Sequence, residues 1–473
     1  MAIERELKFR LSPRAAARAA ERLALGAPQS LSSVYFDTAD QALRRAHIAL
    51  RLRRHGRQWL QTLKSELAPG ARGEWETPAP RGLDVARLPL AQIKRSTGVD
   101  VAALAGRLRP QFETRFKRRI ATILFDGAII EAALDRGQVV AARSAAPLCE
   151  LELELKSGAP QLLARYAKSL IEPFELQLSL ESKAERGYRL AQGERLAAPR
   201  KWRAPELPPG ATSGEALARL VGAALEQAGA NAHGMLGSED AEYLHQLRVA
   251  LRRLRATLAA FKALEPRAKP LKRRLRALTP ALGIARDWDV FVRSLPRESA
   301  LALHARTRQA HARRTARVLL AGPVFNGFLV RALQWIEQRP WTPGAGTLAT
   351  FASRALERLH RKALELGRRI DWQAPHERHA LRIRVKRLRY ACDAFTASFP
   401  GARAATYLAA LRALQDRFGE LNDIRVGRRL AAEFGGDAAL ERRFASRERR
   451  LTRGLQRDWR SFAARAPFWQ ARS

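Results

Sequence analysis

Two stretches of the chain place carboxylates at every second residue. IERELKF (residues 3–9) carries Glu4 and Glu6 with Lys8 two positions on, and CELELELK (149–156) carries Glu150, Glu152 and Glu154. If each is a β-strand, side chains alternate between faces. The charged residues then share one side, and Leu7 and Phe9, or Leu151, Leu153 and Leu155, share the other. IALRLRR (48–54) repeats the pattern with cations, Arg51 and Arg53 lying opposite Leu50 and Leu52. Carboxylates sharing a site repel one another unless a cation separates them. Hard oxygen donors without His or Cys in the set suit Mg2+ or Mn2+. Arg and Lys around such an ion would grip a phosphate chain and stabilise charge as it moves. A solvated sheet face laced with salt bridges would account for one such strand. It accounts less well for two carboxylate strands, matching basic strands and uniformly apolar backs. The residue types point to a metal-dependent site for a compact polyphosphate.

A second set of cations lies further on. YLHQLRVALRRLRATLAAF (243–261) aligns with ERHALRIRVKRLRYACDAF (377–395), placing His245 on His379, Arg248 on Arg382, Arg252 on Lys386 and Arg255 on Arg389. Downstream, LGIARDWDV (282–290) aligns with FGELNDIRV (418–426), Gly283 falling on Gly419 and Asp287 on Asp423. Matches at nearly constant separation mark an internal duplication. On a helix, His245, Arg248, Arg252 and Arg255 span about 80° of one face. One such stripe reads as a solvated face beside a structural histidine. Two duplicated stripes facing each other would form a basic groove or pore for a polyanion.

These sets need two kinds of scaffold. Residues 1–195 read as short strands of period two with a few helices, one of them starting at Ser12-Pro13, an N-cap followed by proline. Asp126-Gly127 and Arg136-Gly137 supply turn chemistry between strands. Residues 196–213 are proline-rich and aperiodic, the expected linker. Residues 214–473 have helical period throughout, with repeats over roughly 214–345 and 346–473. The whole is a multidomain α+β chain of 473 residues with a formal net charge of +40. Roughly +12 of that belongs to the first 200 residues and roughly +28 to the rest. So basic a chain implies a polyanionic partner. Cys149 and Cys392, the only cysteines, form no CxxC pair, and there is no Gly-Lys dipeptide for a phosphate-binding loop of the Walker type. With no long uncharged apolar run, the chain is expected to be cytoplasmic, without a membrane partner, and nucleic acid is not expected as its specific partner.

Glu4-x-Glu6-x-Lys8 resembles the ExExK signature of the CYTH family, the triphosphate tunnel metalloenzymes. YFDT, LRLR, IEAALDRG, CELELEL and SKAERGY follow in that family's order across residues 1–192. The resemblance implies an eight-stranded antiparallel β-barrel with flanking helices, its polar lumen binding triphosphate. Glu4 and Glu6 would ligate Mg2+ or Mn2+. Lys8, Arg51, Arg53, Lys64, Arg118 and Lys183 would contact phosphate oxygens, Lys8 also acting in catalysis. Glu150 and Glu152 would hold a second metal or position the attacking water, with Asp135 as a further acidic ligand and Glu74 as another matching acidic position. Glu154 fits as well as Glu150, and Arg115, Lys117 and Arg119 crowd Arg118, leaving the register open by a residue.

The helical half resembles the CHAD domain, most specifically in HxxRxxxRRLR and LGxxRDxDV. That resemblance implies two duplicated four-helix bundles that bind inorganic polyphosphate, here through His245, Arg248, Arg252, Arg255, His379, Arg382, Lys386 and Arg389. The arrangement is similar to that of bacterial CYTH-CHAD inorganic triphosphatases. The expected activity is metal-dependent hydrolysis of inorganic triphosphate to pyrophosphate and phosphate. A non-catalytic polyphosphate scaffold, or a barrel acting on thiamine triphosphate or cyclising ATP, are the alternatives.

Overall fold

The computed structural model describes residues 5–56, 58–68, 71–79, 82–142, 144–207, 210–264, 268–338, 347–399 and 401–470. The chain divides into two compact units, residues 1–200 with 236–238 and 320–338, and residues 201–235, 239–319 and 339–473.

The first unit is built on one antiparallel sheet. Its strands are β1 (Glu6–Arg10), β2 (Gln29–Asp37), β3 (Ile48–His55), β4 (Gln58–Ala68), β5 (Ala71–Pro78), β6 (Arg109–Phe125), β7 (Ala128–Ala141), β8 (Ser144–Ser157) and β9 (Gln177–Ser179). Their order is β5-β4-β3-β2-β6-β7-β8-β1-β9. The expected closed barrel of eight strands is therefore corrected to an open sheet of nine. The short β9 adds to the free edge of β1, leaving β5 and β9 as the outer strands.

Helices follow the apolar back of the sheet. α1 (Pro13–Arg22) begins as its sequence predicts, Ser12 Oγ accepting from Ala15 N at 3.1 Å with Pro13 in the first turn. Then come α2 (Ala42–Arg45), α3 (Leu90–Thr97), α4 (Val101–Leu104), α5 (Pro160–Ile171) and α6 (Lys183–Ala191). Phe9, Leu151, Leu153, Ile130 and Leu134 form one core with the alanine face of α1 and with α5. Leu50, Leu63 and Trp75 form another with Ile93 of α3 and Val101 of α4.

Asp126 and Gly127, with φ of 48° and 82°, make the hairpin between β6 and β7. Arg136-Gly137, expected as a turn, lies inside β7 instead. A Cβ on Gly137 would collide with the Arg115 carbonyl and with Phe116 of β6, so the glycine serves a close strand approach.

The second unit is helical: α7 (Ser213–Gly237, its last two residues outside the unit), α8 (Ala241–Ala260), α9 (Lys269–Ala277), α10 (Thr279–Ser294), α11 (Ala300–Ala321, its last two residues likewise), then α13 (Leu348–Gly367), α14 (Pro375–Phe395), α15 (Ala402–Ala432) and α16 (Ala438–Ala463). The duplication is visible in the pairing of lengths. The 31-residue α15 corresponds in sequence to α9 plus α10, which Pro280 in the first turn of α10 separates. α12 (Pro323–Gln338) lies in sequence between the two repeats, yet it belongs to the unit of the sheet.

Candidate phosphate-binding site

The antiparallel register stacks the charged residues of β1, β8 and β7 in rungs. Glu6 lies opposite Glu154 and Glu154 opposite Glu131; Lys8 lies opposite Glu152 and Glu152 opposite Ala133; Arg10 lies opposite Glu150 and Glu150 opposite Asp135. Asp135 is in turn paired with Arg118 of β6. Alternation thus puts Glu6, Lys8 and Arg10 on one face while Leu7 and Phe9 face the core. The open register around Arg118 is settled by its partners. Arg118 turns to Asp135, whereas Arg119 on the other face donates to the carbonyls of Leu25 and Gly26, and Arg115 pairs with Glu113.

Lys183, at the first turn of α6, is the hub. Its Nζ lies 2.7 Å from Glu152 Oε1, 2.9 Å from Asp135 Oδ2 and 3.1 Å from Glu150 Oε2. Arg118 grips Asp135 through two bonds of 2.7 Å and reaches Glu152 Oε2 at 2.6 Å. Lys8 Nζ sits 2.9 Å from Glu6 and 3.6 Å from Glu152. Burial opposes charge on Lys183, Arg118 and Glu152, but mutual attraction wins. The Lys183 ammonium is raised above its ordinary value by Glu152, Asp135 and Glu150 despite its burial. Arg118 is raised likewise by Asp135 and Glu152. Glu152, half-buried, is held well below the usual carboxylate range by Lys183, Lys8 and Arg118.

The strands β3 to β5 add a second bank to the same sheet. Lys64 lies 2.9 Å from Glu74, and Arg51 lies 3.7 Å from the same carboxylate. Arg53 Nε donates to Ser33 Oγ at 3.2 Å. Burial, with Arg51 and then Arg118 close enough to repel it, lowers Arg53 to about 10. Tyr35 is buried against this bank. Burial alone would raise its hydroxyl, but Arg51 and Arg53 pull it below its ordinary value.

Of the acidic residues expected to hold metal, Glu4 lies outside the described residues. Asp135 and Glu150 are fully buried, Asp135 tied to Arg118 and Glu150 to Arg186 and Lys183. Among the described residues no three carboxylates converge on one point to hold an ion. In the Glu6–Glu154–Glu131 rung, as between Glu150 and Asp135, carboxylates face one another across adjacent strands, an arrangement that is repulsive without intervening positive charge. Lys8 at Glu6, and Lys156 at Glu154 and Glu131, supply part of that charge. Donors of this kind, all hard oxygens, fit Mg2+ or Mn2+.

Several residues of the site escaped the sequence reading. Arg10 continues the Glu6, Lys8 alternation by one more step and binds Glu181. Arg186, one turn beyond Lys183 on α6, binds Glu150, and Arg189 also binds Glu181. Period two in β1 and the three-residue spacing in α6 were the available signals.

In the helical unit the two stripes do meet. α8 carries His245, Arg248, Arg252 and Arg255, and α14 carries His379, Arg382, Lys386 and Arg389. Arg248, Arg252, Arg382 and Lys386 repel one another across the pair. Burial first, then Arg252 and Arg382, push the Lys386 ammonium down to about 6. Burial and Arg252 take Arg248 and Arg382 down to about 10 each. His245 falls to about 4 through burial and then Arg286. His379 is also lowered, by burial and then Arg382. The Nε atoms of Arg248, Arg252 and Arg382, and one Nη of Arg286, are buried without a hydrogen-bond acceptor among the described residues.

Asp287 of α10 faces Arg248, and Asp423 of α15 faces Arg382, so the aligned aspartates hold equivalent positions in the two repeats. Arg286 and Arg425 add charge from α10 and α15 that the sequence reading did not assign. Two stripe members part company. Arg255 is exposed beside Arg387. Arg389 is drawn away by Asp393 at 2.8 Å and Gln415 at 2.6 Å.

Residues 2–188 match the CYTH domain and residues 219–432 match the CHAD domain. Over 172 residues the chain is 33% identical to an inorganic triphosphatase of Haemophilus influenzae, covering 34% of this chain and 46% of that protein. The chain thus spans about half the length of that relative. Among solved structures, the CHAD domain from the plant Ricinus communis is 26% identical, with a TM-score of 0.49 over 56% of this chain and 97% of that one. A putative adenylyl cyclase from Hippeastrum, described as having a dominant triphosphatase activity, is 19% identical, with a TM-score of 0.30 over 41% of this chain and 98% of that one. The two family matches follow one another without overlap, and the chain belongs to the proteins that carry a CYTH domain followed by a CHAD domain.

Proposed function

We propose that the chain is a Mg2+- or Mn2+-dependent hydrolase of inorganic triphosphate, releasing pyrophosphate and phosphate, and that its helical unit binds longer polyphosphate. The observation that carries the first part is the convergence of Lys8, Arg118 and Lys183 on one sheet face, held by Glu152 and by buried Asp135. The activity named for the Haemophilus influenzae relative agrees with it.

The chemistry follows from the pairings. Arg118 and Lys183 are already oriented by carboxylates, so phosphate oxygens meet fixed donors rather than mobile ones. Asp135 and Glu150 lie behind these cations and fix their placement. Lys8, beside Glu6, contacts the substrate, as do Arg51, Arg53 and Lys64 from the facing bank. Glu6, with Glu4 and Glu154, would hold the metal; when bound it neutralises phosphate charge and makes a water more acidic. Glu152, whose carboxyl is held well below the usual range, keeps Lys183, Lys8 and Arg118 in register around the water and the chain. No covalent nucleophile is required for in-line attack by water.

For the helical unit, the carrying observation is the set of buried guanidinium nitrogens without acceptors. A polyanion would supply those acceptors and relieve the repulsion at Lys386.

The test is a phosphate-release panel across tripolyphosphate, ATP, thiamine triphosphate and long polyphosphate, with and without chelator. Fastest metal-dependent release from tripolyphosphate is expected. Tight polyphosphate binding with no metal-dependent release from any triphosphate would instead mark a binding scaffold.

A further inference from the structure

An edge strand leaves backbone amides that must find partners elsewhere. The three-residue β9 finds one outside the sheet: Leu178 N donates to Oδ1 of Asn326 on α12, at 2.9 Å. Asn326 is 2% exposed. Its amide nitrogen donates to the carbonyls of Leu320, Ala321 and Gly322 at 3.1, 3.2 and 2.9 Å, which fixes the direction of its oxygen. α12 has two further anchors in the same unit. Val330 is buried in the core shared by the sheet, α1 and α5. Glu337 accepts from Arg5 Nε at 2.7 Å, at the head of β1. One helix, lying between the two helical repeats in sequence, therefore grips the β1–β9 pair at both strands.

That pair carries the cations of the site. Lys8 lies opposite Ser179, next to Leu178 in β9. Lys183 opens α6 shortly after β9 ends. The strand that Asn326 fixes thus pairs with the strand of Lys8 and leads into the helix of Lys183, two cations that meet at Glu152.

We propose that Asn326 is a positioning residue of the phosphate site, holding β9 and through it Lys8 and Lys183. Its use in hydrolysis rests on the function proposed above. The region matched by the CHAD domain then contributes a working part of the sheet's site, as well as a site of its own. Displacements of about 1 Å at groups that bind a reacting phosphate cost up to about a hundredfold in rate, so the effect is measurable.

The experiment compares Asn326→Leu with Val330→Ala in the full chain. Val330→Ala loosens the same helix without touching Leu178. Asn326→Leu is expected to raise the tripolyphosphate KM about tenfold and to speed amide exchange over residues 6–10 and 177–183. Val330→Ala is expected to lower the thermal midpoint while KM stays within about twofold. Equal KM and exchange in the two variants, compared at matched stability, would overturn the proposal. If Asn326→Leu does not fold, Asn326→Ser replaces it, withdrawing the acceptor from Leu178 N with a smaller change of shape. A raised KM with faster exchange over residues 177–183 supports positioning, and no change in either overturns it. Absence of hydrolysis in the wild type would sink the functional reading alone, because amide exchange still decides the role of Asn326.

Discussion

The two basic regions of the chain treat their cations in opposite ways. At the centre of the sheet Lys183 and Arg118 are paired with carboxylates and driven above their ordinary values, Arg53 on the second bank being the exception. On the helices the cations face one another, and Lys386, Arg248 and Arg382 are driven below theirs. On the proposed function the centre of the sheet is preorganised: the charges of Lys183 and Arg118 are balanced before substrate arrives, so binding would exchange one set of oxygens for another. The helical stripes keep an excess of positive charge beyond what Asp287 and Asp423 offset, so on the proposed function ligand binding there should also stabilise the fold. The proposed function thus pairs a surface suited to turnover with a surface suited to retention.

The largest effect that would sharpen this contrast is on turnover. Glu6→Ala should abolish metal-dependent phosphate release from tripolyphosphate while leaving polyphosphate binding by the full chain intact. Loss of both would show that the regions are not separable.

Next in size is stability. Arg118→Ala leaves buried Asp135 without its bidentate partner and should cost about 3–5 kcal/mol in urea unfolding. Arg382→Ala relieves repulsion and should leave stability unchanged or raised. Similar losses in both would break the contrast between balanced and unbalanced charge.

A smaller effect concerns protons. Free Lys386 titrates at about 6, against an ordinary value of 10.5. Bound polyphosphate returns it toward that value, so binding takes up a proton between these limits. Affinity therefore falls as pH rises through the window, and below pH 6 this group adds no dependence. The unfolded chain also holds that proton, so the part of the stability set by Lys386 rises with pH over the same range. Calorimetry in buffers of different ionisation enthalpy should show the uptake, and Lys386→Met should remove it.

The smallest effect separates Arg389 from its repeat partner. Arg389→Ala should lower stability through Asp393 yet leave the salt dependence of polyphosphate binding unchanged. Arg252→Ala should reduce the slope of that dependence by about one.

Much of this was legible in the sequence because it is written in periods. Glu6, Lys8, Glu150 and Glu152 share a face by strand alternation alone, and the helical stripes declare themselves through the duplication. Closure of the sheet was not legible. It depends on whether β5 and β9 meet, and β9 is only three residues long. Nor was it legible that Asp135 and Glu150 would be wholly sealed by cations, because the partner Arg186 comes from α6, 36 residues from Glu150. The membership of α12 in the sheet unit was hidden for a further reason. Its apolar residues fit a helical bundle equally well, and only Asn326, a buried polar residue with four partners, signals the other setting.

Arg389 also bears on how a duplicated chain reaches a single structure. Two similar sequences in one polypeptide can exchange partners during folding, a characteristic failure of repeats. Asp393 on α14 binds Arg253 on α8 at 3.1 Å as well as Arg389, and Arg253 is stacked 4.1 Å from the Trp202 ring. In the alignment Asp393 corresponds to Ala259, and Arg253 corresponds to Arg387, which is exposed. Exchanging the two helices would set Arg387 against Ala259 and leave Asp393 without Arg253. The asymmetry that removed Arg389 from the basic stripe thus gives the folding chain a way to tell its first repeat from its second.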